Sequence, residues 1–110
     1  MPHSIEKLAE DILTALADLE QFTRGQIYDN FTENRLLQAA VEREIEIIGE
    51  ALVRIRNLDQ VLFETIPDGH RIIGMRNIIA HGYDSIDTAI VWHAATTHAP
   101  QLKPAIQALR

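Results

Sequence analysis

The sequence predicts an all-α protein, and three observations carry that expectation. Apolar residues recur at steps of three and four along two long stretches, which is the signature of one buried helix face. Residues suited to helix caps, together with Gly and Pro, punctuate the ends of those stretches. No segment alternates apolar and polar residues as a half-buried strand would. The expected architecture is two long helices and two or three short ones, packed as an antiparallel bundle of four to five helices.

The first helix is read from Ile5, Leu8, Ile12, Leu16 and Leu19. Ser4 is its expected N-cap and Glu6 suits the positive end of its dipole. It should end near Gln21, ahead of Thr23-Arg24-Gly25. The second is read from Leu37, Val41, Ile45, Ile48, Leu52 and Ile55, capped by Asn34 or Thr32. Over about residues 34–56 it would be roughly 34 Å long, at about 1.5 Å per residue. Gly49 lies inside it, at a cost near 1 kcal/mol relative to Ala; it is either simply tolerated there or, the slightly favoured reading, marks the close approach of another helix.

Asn57 to Gly69, with Pro67-Asp68-Gly69, reads as a connecting loop. A third helix is expected from about His70 to His81, burying Ile72, Met75, Ile78 and Ile79, with Gly82 as its C′ residue. Asp87 or Ser85 should cap a fourth helix through Ile90, Val91 and Ala94. Pro100 suits the first position of a last helix reaching about Leu109. Pro104 falls inside that piece, which must then be very short at first or kinked.

The 110 residues fit one domain, 1–110, whose modest core would gain from dimerisation. Cysteine is absent, which removes disulfides, thiolate nucleophiles and cysteine zinc sites from consideration. No apolar run approaches the roughly 18 residues of a bilayer span, and the N-terminus lacks the pattern of a signal peptide. A cytoplasmic location is expected. The net charge of −6 argues against coating nucleic acid along a broad face. Charge is uneven: eleven acids and four bases fall in residues 1–50, five acids and six bases in residues 51–110. A local cationic pocket in the second half could still bind a phosphodiester at one place.

That half contains Arg76-Asn77-Ile78-Ile79-Ala80-His81-Gly82-Tyr83. Arginine offers a fork of donors matched to phosphate oxygens. Histidine titrates near neutrality and serves as general base or acid. Cleaving RNA through its own 2′-hydroxyl needs a base, an acid and a cation for the charge on the phosphorane, and no metal. Asn77 can orient the histidine or bond the phosphate. Five positions separate Arg76 from His81, about 140° around a helix, so one straight helix does not converge them. A two-fold dimer, with Gly74 on the His81 face allowing close approach, would bring Arg76 of one chain to His81 of the other. The plain alternative is a helix end: His81 favourable to the dipole, Gly82 and Tyr83 as capping contacts, Arg76 solvated.

At these residues the chain resembles the HEPN superfamily, whose signature is R-x-x-x-x-H, here Arg76 and His81. Asn77 after the arginine and Tyr83 two beyond the histidine narrow the resemblance to the HepT-like toxins. Glu46-Ile47-Ile48-Gly49-Glu50-Ala51, Gly74-Met75-Arg76-Asn77, Ile90-Val91-Trp92 and Pro100-Gln101-Leu102-Lys103 extend it over nearly the whole chain. The start of the second helix, at Asn34 and Leu36-Leu37, departs from the pattern. The resemblance implies a HEPN-type helical bundle that homodimerises with its motifs across a cleft. It implies a metal-independent endoribonuclease, the toxin of a two-gene toxin–antitoxin pair. Its partner would be a nucleotidyltransferase of the MNT type, which transfers AMP from ATP onto the motif tyrosine, here Tyr83. Arg76 and His81 would be catalytic and Asn77 supporting, with no metal and no cofactor.

Other residues carry less. His3, His70, His93 and His98 form no metal-ligand spacing. His70 and Arg71 could touch RNA phosphates or simply be solvated. Glu46 and Glu50 share a helix face, either as a polar flank or as a carboxylate that orients His81 or Arg76. Trp92 suits core or interface better than base stacking. The competing functional reading is a non-catalytic helical module that partners a nucleotidyltransferase; a plain structural dimer is a third.

Overall fold

Ser4 starts the first helix as its chemistry requires: its Oγ accepts the Lys7 N–H at 3.1 Å. In the computed structural model, which describes residues 4–82 and 86–110, helix α1 spans Ile5–Thr23 and buries Leu8, Ala9, Ile12, Ala15, Leu16 and Leu19. It runs two residues beyond Gln21. The Thr23 hydroxyl donates back to the Leu19 carbonyl at 2.8 Å, and Gly25, at φ +73°, then turns the chain.

A short helix follows that the periodicity did not reveal. α2, Tyr28–Glu33, buries one residue, Phe31, too few to make a pattern. Asn34 ends it and caps the next helix, its Oδ1 accepting the Leu37 N–H at 3.0 Å. Thr32, the other candidate cap, instead donates its hydroxyl to the Asp29 carbonyl. α3 spans Arg35–Leu58 and buries Val41, Ile45, Ile48, Leu52 and Ile55, as their spacing requires.

The stretch from Asn57 to Gly69 is not wholly a loop. Asp59 caps a single turn, α4, Gln60–Phe63, by accepting the Leu62 N–H at 3.0 Å. Only Phe63 of that turn is buried, so it too lacked a periodic signal. Asp68 adopts the left-handed conformation at φ 60°. Gly69 starts α5, Gly69–His81, against the Phe63 ring, where a Cβ would fall 2.9 Å from a ring carbon. α5 buries Ile72, Ile73 and Met75. Ile78, expected inside, is 49% exposed, because the covered side of the helix narrows toward its C-terminal end, where Ile79 is half-buried. Gly82 differs from the expected left-handed C′ glycine: its φ is −90°. Its N–H continues the helical ladder to the Ile78 carbonyl at 2.6 Å. A Cβ there would crowd that same oxygen.

Asp87 caps α6, Thr88–His93, by accepting the Ala89 N–H at 2.9 Å. Ser85, the other candidate, lies outside the described residues. Val91 and Ala94 are buried, whereas Ile90 is half exposed. No separate last helix begins at Pro100. The helical run continues without a break, passing through a π turn at Ala94–His98 and a 3-10 turn at Ala99–Leu102 into α7, Lys103–Gln107. Pro100 lacks an N–H and its ring would clash with the carbonyl four residues back; the change of pitch absorbs both. Pro104 is harmless in the first turn of α7.

Among the described residues there is no strand, and the all-α class holds. α3 is central, with α1 and α5 packed on it and the C-terminal run closing over α1 and α5. One cluster of buried apolar side chains draws on every helix. Among the described residues no helix is long and apolar enough to cross a membrane.

Candidate active site

The candidate arginine, Arg76, sits where α5 crosses α3. Gly49 provides the crossing: a Cβ on it would collide with Arg76 Cβ and lie 2.7 Å from Arg76 Cγ. The close approach read from the sequence is therefore real, and the approaching group is the stem of the motif arginine. Arg76 lies partly buried, its side chain 30% exposed. Its Nη2 donates to Glu50 Oε2 at 2.7 Å, and its Nη1 donates to Asn77 Oδ1 at 2.9 Å. Of the two acids that share a face of α3, Glu50 holds the arginine, and its other oxygen lies 3.4 Å from Arg54 Nε. Glu46 makes no ion pair among the described residues and lines a groove between α1 and α3 of about 840 Å³, which Arg76 and Glu50 also line.

His81 is the last residue of α5 and is exposed. Among the described residues no side-chain hydrogen bond reaches its imidazole or joins it to Arg76, whose own bonds go to Glu50 and Asn77. Asn77 serves the arginine rather than the histidine. Tyr83 lies outside the described residues. Within one chain, then, the guanidinium is turned toward α3 while the imidazole stands at the exposed end of α5.

Residues 12–109 match the family described as ribonuclease HepT-like. The chain belongs to the HepT-like family. It is 34% identical over 97 residues to a protein of Methanocaldococcus jannaschii named as a candidate RNase, covering 88% of each chain. It is 34% identical over 110 residues to a Thermococcus cleftensis protein named as a probable ribonuclease HepT, covering 100% of this chain and 99% of the relative. A protein of Caldanaerobacter subterraneus, also named as a candidate RNase, is 26% identical over 98 residues, with 89% and 87% covered. No solved structure matches the chain.

Elsewhere in this HepT-like chain the remaining candidates among the described residues find partners within the fold, and His3 lies outside the described residues. His70 Nε2 lies 3.1 Å from Glu64 Oε1, with its ring edge-on to Phe63. Arg71 lies 3.7 Å from Asp68 and 3.4 Å from His98. His98 Nδ1 is 3.5 Å from Asp68 Oδ2, and the His93 and His98 rings meet edge to face at 4.9 Å. This cluster joins residues up to 30 positions apart, so no local spacing announced it. Among the described residues no group of three or more His, Asp and Glu is gathered as a metal ion would need. Trp92 packs its ring on Phe31 at 5.0 Å, a structural role. On the groove, Glu44 is buried beside Asp18; burial first, and then the Asp18 carboxyl, push its pKa up.

Proposed function

We propose that this chain, a single domain over residues 1–110, is a metal-independent endoribonuclease and the toxin of a two-gene toxin–antitoxin pair. The observation that carries the reading is a fixed arginine and an exposed histidine, five positions apart on α5, in a chain of the ribonuclease HepT-like family. His81 accepts the proton of the ribose 2′-hydroxyl. The 2′-oxygen attacks the phosphorus, and the bond to the 5′-oxygen breaks as that oxygen receives a proton, leaving a 2′,3′-cyclic phosphate. Arg76, with three of its five N–H groups beyond those given to Glu50 and Asn77, balances the charge on the phosphorane. One His81 cannot stand on both sides of the phosphorus at once. A homodimer supplies two histidines and two arginines, and the separate directions of Arg76 and His81 within one chain favour that composite cleft.

The partner is an MNT-type nucleotidyltransferase acting on Tyr83 in the cytoplasm. The tyrosine oxygen attacks the α-phosphorus of ATP, the bond to the β-phosphate oxygen breaks, pyrophosphate leaves, and the phenolic proton passes to solvent. The added phosphate and base then occupy the cleft and repel RNA.

Arg76→Ala or His81→Ala is expected to abolish RNA cleavage with the fold intact, while the parent chain cleaves in EDTA. Two variants that cleave like the parent would sink the reading. A parent chain that binds its transferase but cuts no RNA would replace it with the helical-module reading. Co-incubation with ATP and the transferase should add the mass of one or more AMP units. A Tyr83→Phe chain gaining the same mass would remove Tyr83 from its role.

A further inference from the structure

Arg76 is held from outside its own helix. Its stem lies in the notch that Gly49 leaves on α3, where a Cβ would collide with it. Its head meets the carboxylate of the next residue, Glu50, at 2.7 Å. Notch and acceptor are consecutive, so the crossing of α3 over α5 sets both at once. The ion pair is partly shielded, with side chains 30% and 43% exposed. Asn77 engages the second terminal nitrogen. With two nitrogens engaged, the guanidinium cannot rotate freely about its long stem.

We propose that Glu50 is the positioning residue of Arg76. It fixes where the guanidinium stands and which N–H groups remain for a phosphate, and it does not itself touch RNA. The inference rests on the ribonuclease reading above. A carboxylate beside a phosphate-binding arginine would ordinarily weaken the positive field. Here Arg54 Nε approaches the other Glu50 oxygen at 3.4 Å, so the trio of Arg54, Glu50 and Arg76 keeps a net positive charge. A held planar fork is also already in place when charge builds on the phosphorane, so it need not reorganise at that step. Glu46, one turn earlier on the same face, has no such contact among the described residues. The acidic residue that matters is the one beside the glycine.

The test is steady-state cleavage of a fluorescent single-stranded RNA by the full chain and by Arg76→Ala, Glu50→Ala and Glu50→Gln. Glu50→Ala is expected to lower kcat about 10- to 100-fold, the scale of a misplaced reacting group, with KM and melting temperature nearly unchanged. Glu50→Gln keeps an oxygen acceptor and should recover most of that loss. If Arg76→Ala abolishes cleavage while Glu50→Ala turns over like the parent, the proposal is overturned. Equal losses in Glu50→Gln and Glu50→Ala overturn it too, because charge or proton transfer would then be at work rather than placement. A loss confined to KM assigns Glu50 to ground-state binding, with the same consequence. If Arg76→Ala itself cleaves like the parent, the ribonuclease reading of the motif fails first, a result distinct from all of these.

Discussion

Glu44 shows how one residue can set a pH response. It is 8% exposed on α3. Burial raises its pKa above the ordinary value of 4.5, Asp18 raises it further, and Arg43 opposes. The folded chain therefore holds this proton more tightly than the unfolded chain. That stabilisation is fully present below about 4.5 and is lost as pH rises through the folded-state value. Glu44→Gln keeps the shape and removes the charge. It is expected to raise the urea midpoint at pH 7, with the gain shrinking to nothing as pH falls below about 4.5. An equal gain at pH 4 and pH 7 would refute this explanation. At this scale the candidate arginine and histidine, Arg76 and His81, could be picked out from the sequence, because a motif is a matter of spacing along the chain. The partner of Arg76 was not: Glu46 and Glu50 share one helix face, and only the crossing point of α3 and α5 distinguishes them.

Two glycines inside helices separate local propensity from packing between elements. A Cβ added at Gly74, in α5, would meet nothing within 4 Å, whereas one added at Gly49, in α3, would run into Arg76. The same substitution should therefore have opposite signs. Gly74→Ala is expected to stabilise by about 0.5–1 kcal/mol through helix propensity. Gly49→Ala is expected to destabilise by about 1–3 kcal/mol through overpacking, despite the same gain in propensity. Urea unfolding of both variants decides it, and shifts of the same sign would contradict the crossing described above. If the composite dimer forms over the face of Gly74 and His81, sedimentation will also show weaker self-association in Gly74→Ala. The long helices were readable because many apolar residues repeated the same interval. α2 and α4 were not, since each buries a single aromatic ring, Phe31 and Phe63. The π and 3-10 turns around Pro100 were not foreseen; the expected irregularity was placed at Pro104, which sits without strain in the first turn of α7.

For the whole molecule, charge bounds the way RNA is bound. A net charge of −6, with Arg71 and His70 paired to acids, leaves little surface for tracking a backbone. Binding through two arginines of a dimer would give a slope of about −1.4 for log affinity against log salt, at about −0.7 per phosphate contact on single strands. Affinity of a cleavage-deficient His81→Ala chain, measured from about 50 to 200 mM salt, checks this; a slope near −5 would mean binding along a broad basic face and would refute it.

Fold class, the helix cap at Ser4, the choice of Asn34 or Thr32 for the next cap, and the spacing of Arg76, Asn77, His81 and Tyr83 follow from local rules, since helical periodicity and capping involve residues within a turn or two of each other. The companions of those residues in space do not. That Gly49 makes room for Arg76, that Glu50 rather than Glu46 holds it, and that Ile78 and Ile90 face outward depend on where helices distant in sequence cross. Such crossings are set by the packing of the whole core, so only the tertiary structure decided them.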